Sequence, residues 1–257
     1  MSKEFAPIAA KNGSYVIDNS SAFRLKKNIP LIVPEINSNE IKSSNSKIIA
    51  NPNCTTIISL MGIKPMSNVK KIKRVVATSF QSVSGAGNNG MDELLRNTKR
   101  FFNNKKSQNK VFDKNITFNV IPKIGSFQPN GYTDEEMKFN NESRKILNDK
   151  TILLTATTVR VPVLRSHSIS LNIEFNGNIE INRIKKEIGK FPGIDLVDDP
   201  KKNKFPTPID SSNKDNCIIG RIRKDYSKNN CVSVWIVGDQ IRKGAALNAI
   251  QIAELLV

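Results

Sequence analysis

The sequence is poor in the residues that build extracellular and membrane-spanning proteins. Its 257 residues contain three cysteines, at positions 54, 217 and 231, which are too few for a disulfide framework and predict a reducing, cytoplasmic compartment. No apolar run approaches the roughly 18 residues of a membrane-spanning helix. The first residues also lack the apolar segment of a secretory signal.

Aromatic residues are scarce as well, at 6% of the chain, whereas Lys and Arg outnumber Asp and Glu by 40 to 23. The resulting net charge of +17 suggests a nucleic-acid binder, but the lysines are spread along the whole chain and few aromatic rings are present to stack on bases. A general positive field favours small anionic substrates instead.

The apolar residues that are present alternate between strand-like and helix-like patterns, which predicts an α/β or α+β protein. The predicted strands cover residues 15–18, 31–33, 48–50, 72–83, 152–163 and 168–175, with a hairpin over 217–237. The predicted helices cover residues 91–103, 134–148, 179–190 and 243–257, after a helix-like segment at the start of the chain.

Cys54 is the first candidate for chemistry. It stands in Asn51-Pro52-Asn53-Cys54-Thr55-Thr56, after a short strand and directly before the apolar run 57–63. Asn and Thr before such a run signal the start of a helix, and a helix N-terminus favours the thiolate form of cysteine. Cys54 is therefore a candidate nucleophile.

His167, the only histidine, lies between two predicted strands. A cysteine at a helix start and a histidine at a strand junction are the pair that nucleophilic catalysis uses, although a single histidine is as often structural. Cys217 and Cys231 adjoin apolar strands and are expected to be buried hydrophobic residues. The two could face each other across the hairpin. No metal site is predicted, because the spacing offers no pair of zinc ligands.

Gly85, Gly87 and Gly90 match the G-x-G-x-x-G pattern of dinucleotide-binding loops. The acidic residue expected further along would be Asp113, in a poor context, so the match favours a loop that touches a cofactor over a principal pyrophosphate site.

The segment 49–56 resembles the catalytic segment of aspartate-semialdehyde dehydrogenases, in which the cysteine of N-P-N-C-[ST]-T is the nucleophile. Other segments resemble the family in the same order along the chain: 16–24, 33–37, 79–87, 160–167, 205–210 and 242–248. The resemblance implies an incomplete Rossmann-type nucleotide domain joined to an α+β catalytic and dimerisation domain with a mixed sheet. The implied domains are residues 1–50, the remainder of the NADP-binding domain; 51–240, the catalytic and dimerisation domain; and 241–257, a C-terminal helix that returns to the first domain.

The resemblance further implies NADPH-dependent reduction of L-4-aspartyl phosphate to aspartate 4-semialdehyde and phosphate, a step toward lysine, methionine, threonine and isoleucine. The Cys54 thiolate would form a thioester, His167 would act as general acid and base, and Gln81 would orient the acyl group. Arg160 would bind the substrate α-carboxylate, Glu142 its amino group, and Arg24, Asn53 and Lys145 the phosphate. Ser84, Gly85, Ala86 and Gln240 would touch the cofactor. A homodimer or homotetramer is expected.

By spacing alone, Glu142 and Lys145 form a simple helical pair on a solvated face. Two alternatives to the implied function remain: an inactive remnant that only dimerises, and a reductase of another acyl phosphate such as N-acetylglutamyl phosphate.

The sequence departs from the family at two places. Gln240 and Ile241 stand where the family has Asn and Leu, and no strand with a G-x-x-G-x-x-G loop precedes residue 2. The second departure predicts weak or absent NADPH binding by this chain and an unpaired sheet edge.

Overall fold

The computed structural model describes residues 1–256. The strands are β1 (Val16–Asp18), β2 (Ile48–Ala50), β3 (Ile72–Gln81), β4 (Leu153–Arg160), β5 (His167–Phe175), β6 (Ile194–Leu196), β7 (Cys217–Lys224) and β8 (Cys231–Gly238). The α-helices are α1 (Ser2–Lys11), α2 (Pro34–Asn37), α3 (Asn39–Lys42), α4 (Cys54–Val69), α5 (Gly87–Phe102), α6 (Asp134–Ile146), α7 (Ile181–Lys190), α8 (Pro208–Ser211) and α9 (Leu247–Glu254). Short 3₁₀ turns occupy Val83–Ala86 and Pro200–Lys202, and a π-helical turn occupies Arg242–Ala246.

A mixed six-stranded sheet in the order β4-β3-β5-β8-β7-β6 forms the frame of the larger part. β3 pairs in parallel with β4 and antiparallel with β5, and β5 pairs antiparallel with β8. The predicted hairpin is present as the antiparallel pair β7 and β8, and β6 closes the far edge in parallel with β7. The predicted mixed sheet is therefore confirmed.

Helix α4 crosses this sheet and forms the centre of the core. It is apolar on nearly all sides, as expected for a helix buried between a sheet and other helices. At its middle, Gly62 brings the helix backbone close to the sheet, since a Cβ there would lie 3.3 Å from Leu171 Cδ1 and 3.5 Å from Ile236 Cδ1. The fixed contact between α4 and the sheet positions the N-terminus of α4, and with it Cys54.

The parallel pair of β1 and β2 forms a separate, smaller unit. A small apolar cluster of Ile32, Ile49 and Ile252 joins this unit to α9. Asn248 of α9 also donates to the carbonyl of Ile32 at 3.0 Å. The C-terminal helix thus packs against the first part of the chain.

Several sequence predictions differ from the structure. Residues 31–33 make a single bridge, from Leu31 to Ala50, because Pro34 begins a helix immediately afterwards. Strand β6 was not predicted, since three residues are too few to show a period. Cys217 and Cys231 do not face each other: Cys217 pairs with Ile194 and Cys231 with Glu174, at opposite ends of the hairpin strands. Throughout residues 1–256, the helices are too short or too polar to cross a membrane.

Candidate active site

Cys54 is the first residue of α4, as the sequence predicts. The preceding residue, Asn53, caps the helix: its side-chain oxygen accepts the backbone N–H groups of Thr55 and Thr56 at 3.0 and 3.2 Å. Such a cap stabilises a helix end by about 1 kcal/mol. The cap fixes the helix start, and the thiol is consequently held at the floor of an open cavity of about 370 Å³.

His167 begins β5 and brings its Nε2 within 3.6 Å of Cys54 Sγ. The other ring nitrogen, Nδ1, accepts the backbone N–H of Ser82 at 3.2 Å and lies 3.1 Å from the Ser82 hydroxyl. Because a backbone N–H can only donate, this bond assigns the ring proton of the neutral imidazole to Nε2, on the side of the sulfur. The two residues are 113 positions apart in sequence and are in contact in the fold.

The charge states of the pair differ from the sequence expectation. Burial, with the nearby Glu135 carboxylate as the second cause, raises the pKa of Cys54 to about 11. Burial and the positive charge of Arg160 hold the pKa of His167 well below its ordinary value. The helix N-terminus favours the thiolate, but desolvation opposes it more strongly, so these pKa directions favour a thiol beside a neutral imidazole in the free protein.

Glu135 is a buried carboxylate that sequence reasoning missed. One of its oxygens lies 2.9 Å from Asn53 Nδ2 and 3.4 Å from Gln81 Nε2, and the other binds Lys138 at 3.2 Å. Gln81, at the end of β3, also donates to Ser79 at 3.3 Å. Glu135 therefore fixes two amides that the resemblance assigns to substrate binding, and its position in a charged helix gave no sign of this.

Glu142 and Arg24 form a buried ion pair at 3.1 Å. The second oxygen of Glu142 accepts the backbone N–H of Asn53 at 2.7 Å, one residue before the nucleophile. Burial raises the pKa of Glu142 even though Arg24 opposes the shift. Arg24 and Asn53 line the cavity above Cys54. Glu142 thus joins the nucleophile segment to Arg24, which lies 118 residues before Glu142 in the sequence. The interpretation of Glu142 and Lys145 as a simple helical pair on a solvated face is wrong.

Lys145 is not brought to the cavity above Cys54. Its ammonium donates to the backbone carbonyls of Arg24, Lys26 and Ile29 at 2.7–2.8 Å. It lines a separate open cavity of about 870 Å³. In this structure Lys145 holds the segment that carries Arg24, and its three donors are already used.

Arg160, the last residue of β4, is 7% exposed. Its Nη1 donates to the Ser82 carbonyl at 2.6 Å. A Cβ on Gly85 would lie 2.8 Å from this Nη1 and 3.1 Å from His167 Cε1, so only glycine fits between the backbone and the two side chains. Burial lowers the pKa of Arg160, and the close packing places a cation beside the Cys54–His167 pair.

The residues assigned to the cofactor surround the same cavity only in part. Ser84, Gly85, Gly87 and Gln240 line it, whereas Ala86 faces the neighbouring cavity. The Gln240 amide is used within the protein, because it accepts from the Ser166 N–H at 2.8 Å and donates to Ser84 Oγ. Asp113 is exposed and paired with Lys123, so it is not the acidic partner of a glycine loop.

Lys243 and Gly244, in the π-helical turn, were not singled out in the sequence. A Cβ on Gly244 would lie 3.0 Å from Cys54 Cβ, so the turn packs directly against the nucleophile. The Lys243 ammonium, in a residue only 1% exposed, binds Glu35 at 2.6 Å and the amide oxygens of Asn248 and Gln251 at 2.9 and 2.8 Å. This buried cluster anchors the turn, and π-helical turns of this kind often occur at functional sites.

Comparisons with known proteins agree with this geometry. Residues 63–243 match the dimerisation domain of semialdehyde dehydrogenases, and residues 1–44 match their NAD binding domain. The aspartate-semialdehyde dehydrogenase of Synechocystis sp. is 46% identical over 256 residues, covering all of this chain and 75% of the relative. That of Aquifex aeolicus is 44% identical over 258 residues, covering all of this chain and 76% of the relative.

A crystal structure of aspartate semialdehyde dehydrogenase II from Vibrio cholerae superposes with a TM-score of 0.96 at 44% identity, covering 99% of this chain and 76% of that chain. A second structure of the enzyme is described as complexed with ASA, and it matches with the same TM-score at 43% identity. The chain belongs to the aspartate-semialdehyde dehydrogenase family, a family of oxidoreductases. The family resemblance read from the sequence is thus confirmed.

Proposed function

We propose that this protein reduces L-4-aspartyl phosphate to aspartate 4-semialdehyde and phosphate through a thioester on Cys54. The observation that carries the proposal is the 3.6 Å contact between Cys54 Sγ and His167 Nε2 at the floor of a cavity that Arg24 and Asn53 line. A nucleophile, a hydrogen-bond donor and a cation are the parts that acyl transfer from an acyl phosphate requires.

The first half of the reaction transfers the acyl group to sulfur. Cys54 Sγ bonds to the acyl carbon, the bond from that carbon to the phosphate oxygen breaks, and the thiol proton leaves with the phosphate. The raised pKa of the thiol supports transfer of this proton during the attack rather than before it. Arg24, 8% exposed, supplies positive charge for the departing phosphate.

The second half reduces the thioester. The nicotinamide cofactor, when bound, supplies the hydride. Nε2–H of His167 donates to the acyl oxygen as negative charge develops there, and the ring remains neutral because Ser82 N–H already occupies Nδ1. When the resulting oxyanion collapses to the aldehyde, the C–S bond breaks, and the thiolate takes up one proton from solvent to restore the thiol.

Substrate recognition completes the proposal. Arg160 binds the α-carboxylate and Gln81 the acyl group. Glu142 receives the amino group by sharing the oxygens that now bind Arg24 and Asn53. Lys145 acts on the phosphate site through the backbone that carries Arg24.

The residues beside Cys54 fit a nicotinamide ring of NADP. At Gly87, with φ of +74°, the space where a Cβ would lie is open, so bare backbone faces the cavity next to Ser84 and Gly85. Gln240 would hold the cavity wall through Ser84 rather than contact the ring itself.

We propose a homodimer formed through the sheet face that carries Phe80 and Trp235. These half-buried rings lie 5.5 Å apart and line an open cavity of about 450 Å³ with Phe205. Trp235→Glu is expected to halve the molecular mass of the assembly, measured by light scattering. The mass of the unmodified protein in the same measurement reports whether dimers pair into tetramers. If Trp235→Glu leaves the molecular mass unchanged, the dimer interface lies elsewhere on the protein.

Domain boundaries near residues 50 and 240 are supported by the separate β1–β2 unit and by the return of α9 to it. A cytoplasmic location is supported by three cysteines without a disulfide.

The activity is tested in the reverse direction, as NADPH formed from aspartate semialdehyde, NADP and phosphate. Because the sequence predicts weak cofactor binding, the assay uses a high NADP concentration, at which the proposal predicts phosphate-dependent NADPH formation by this chain and none by Cys54→Ala. N-acetylglutamate semialdehyde, supplied in place of the substrate, is expected to react poorly, because the acetyl group removes the ammonium that Glu142 binds. Equal rates with the two aldehydes would contradict the proposed substrate, and activity in Cys54→Ala would contradict the thioester.

A further inference from the structure

Another buried carboxylate, Glu93 in α5, takes no part in the chemistry above. It is fully buried, and one oxygen accepts the backbone N–H groups of Lys110 and Val111 at 2.6 and 2.7 Å. The other oxygen accepts the N–H of Phe112 at 3.3 Å. A buried carboxylate with three backbone donors is a strong anchor, because hydrogen bonds to a carboxylate are stronger than those between neutral groups.

Asn97, one turn further along α5, binds the residues just before this segment. Its side-chain oxygen accepts the Gln108 N–H at 2.9 Å, and its Nδ2 lies 3.3 Å from the Gln108 carbonyl. Two buried side chains of one helix therefore hold residues 108–112, which are otherwise mostly exposed. In the sequence this stretch is rich in Asn and Lys and gives no sign of the two buried anchors.

The anchored segment ends in Phe112, whose ring lies between α5 and Arg160. On one side, a Cβ on Gly90 would come within 3.2 Å of Phe112 Cζ, so the glycine gives the ring room. On the other side, the ring centroid lies 5.8 Å from Arg160 Cζ, within the range of a cation–π contact. Phe112 and Arg160 also line one cavity of about 320 Å³.

We infer that Phe112, anchored by Glu93, is a positioning residue that orients the Arg160 guanidinium toward the substrate carboxylate. Arg160 has one short bond, from Nη1 to the Ser82 carbonyl, and the Phe112 ring gives its guanidinium a second contact. A planar guanidinium binds a carboxylate through two parallel bonds only in one orientation, so a ring that limits its rotation sets specificity for α-carboxylate substrates. The inference rests on the proposed role of Arg160.

The test compares aspartate semialdehyde with 3-aminopropanal, which is the same aldehyde without its carboxylate. Each aldehyde adds reversibly to the Cys54 thiol, forming a C–S bond while the thiol proton moves to oxygen, and so protects Cys54 from iodoacetamide. The concentration that gives half-protection reports binding at this residue and needs neither cofactor nor phosphate.

Phe112→Leu is expected to raise the half-protecting concentration of aspartate semialdehyde about tenfold, in keeping with a partly desolvated cation–π contact. Glu93→Gln keeps the side-chain shape but turns an amide N–H₂ toward backbone donors. This variant is expected to raise the half-protecting concentration of aspartate semialdehyde about fivefold. Neither variant is expected to change the value for 3-aminopropanal by more than about twofold.

Two exposed neighbours serve as matched controls. Asp92→Asn removes the same charge one residue before Glu93, and Phe102→Leu makes the same exchange at an exposed position of α5. Both are expected to leave the two aldehydes within about twofold of the unmodified protein.

Equal weakening of both aldehydes in Phe112→Leu would overturn the inference, since it would show a general structural role. If the unmodified protein itself binds the two aldehydes equally, the proposed role of Arg160 fails first and the inference fails with it. Should Glu93→Gln not fold, the carboxylate selectivity of Phe112→Leu alone decides the outcome.

Discussion

The pKa of Cys54 gives a prediction that separates this site from one with a preformed thiolate. Its value of about 11 arises from burial first and from the Glu135 carboxylate second. At pH 7.5, about 0.03% of such a thiol is ionised, against about 10% of an ordinary cysteine, a ratio of about 300. Greater nucleophilicity of the more basic thiolate recovers about tenfold, so Cys54 should react with iodoacetamide roughly 30-fold more slowly than a free cysteine.

The direction of the Cys54 pKa shift determines how the alkylation rate depends on pH. The thiolate is absent well below the raised pKa and forms as the pH rises toward it, so the alkylation rate should climb about tenfold per unit between pH 7 and 10 without a plateau. Mass spectrometry of the peptide that contains Cys54 measures this rate separately from Cys217, whose pKa burial raises to about 12. A plateau below pH 7 would refute the reasoning, because it would reveal a thiolate–imidazolium pair in the free protein.

Glu135→Gln tests the second cause. Loss of the carboxylate should lower the thiol pKa and so raise the alkylation rate at pH 7.5 by a few-fold. Asp134→Asn is the matched control, because Asp134 also binds Lys138, at 3.0 Å, but lies at a more exposed position. An unchanged rate in Glu135→Gln, or an equal increase in Asp134→Asn, would show that Glu135 does not act on the thiol.

Three further predictions concern other parts of the site. His167→Asn should lower kcat in the phosphate-dependent assay about 100-fold to 1,000-fold, and a loss below about tenfold would remove His167 from the reaction. Gly244→Ala should lower kcat at least about tenfold, because the new Cβ would lie 3.0 Å from Cys54 Cβ. The control Gly189→Ala should leave kcat unchanged, because its new Cβ would lie 3.9 Å from the nearest atom, Leu196 Cδ2. Lys243→Met should cost about 3–5 kcal/mol in the free energy of unfolding, measured by urea denaturation, because it leaves Glu35 buried without its cation. The exposed control Lys190→Met should cost less than about 1 kcal/mol.

The features that sequence predicts best in this protein are those whose cause is local. The start of α4 is encoded by Asn53 and the apolar run behind it, and the structure has the cap and helix at those residues. The order of the six strands has no local signal, because it depends on how distant segments pair. The pairing of β3 with β5 and the contact of His167 with Cys54 both depend on segments that are distant in sequence.

Buried charged residues were the hardest to predict. Glu93 and Glu135 lie in helical segments rich in polar residues, where a charged side chain ordinarily faces water, and Lys243 follows Arg242 at the start of the mostly apolar C-terminal segment. Nothing near them in the sequence indicates partners as distant as Glu35, 208 residues from Lys243. The Cys54 pKa was mispredicted for a related reason: the helix N-terminus is visible in the sequence, whereas burial and Glu135 become visible only in the fold.

Formation of a thioester on Cys54 is tested most directly by incubating the protein with L-4-aspartyl phosphate in the absence of NADPH. Mass spectrometry should then find one aspartyl group per chain on the peptide containing Cys54, with an equal amount of phosphate released and no adduct in Cys54→Ala. An aspartyl group on another residue, or no adduct on Cys54 in protein that reduces the substrate once NADPH is added, would contradict the account.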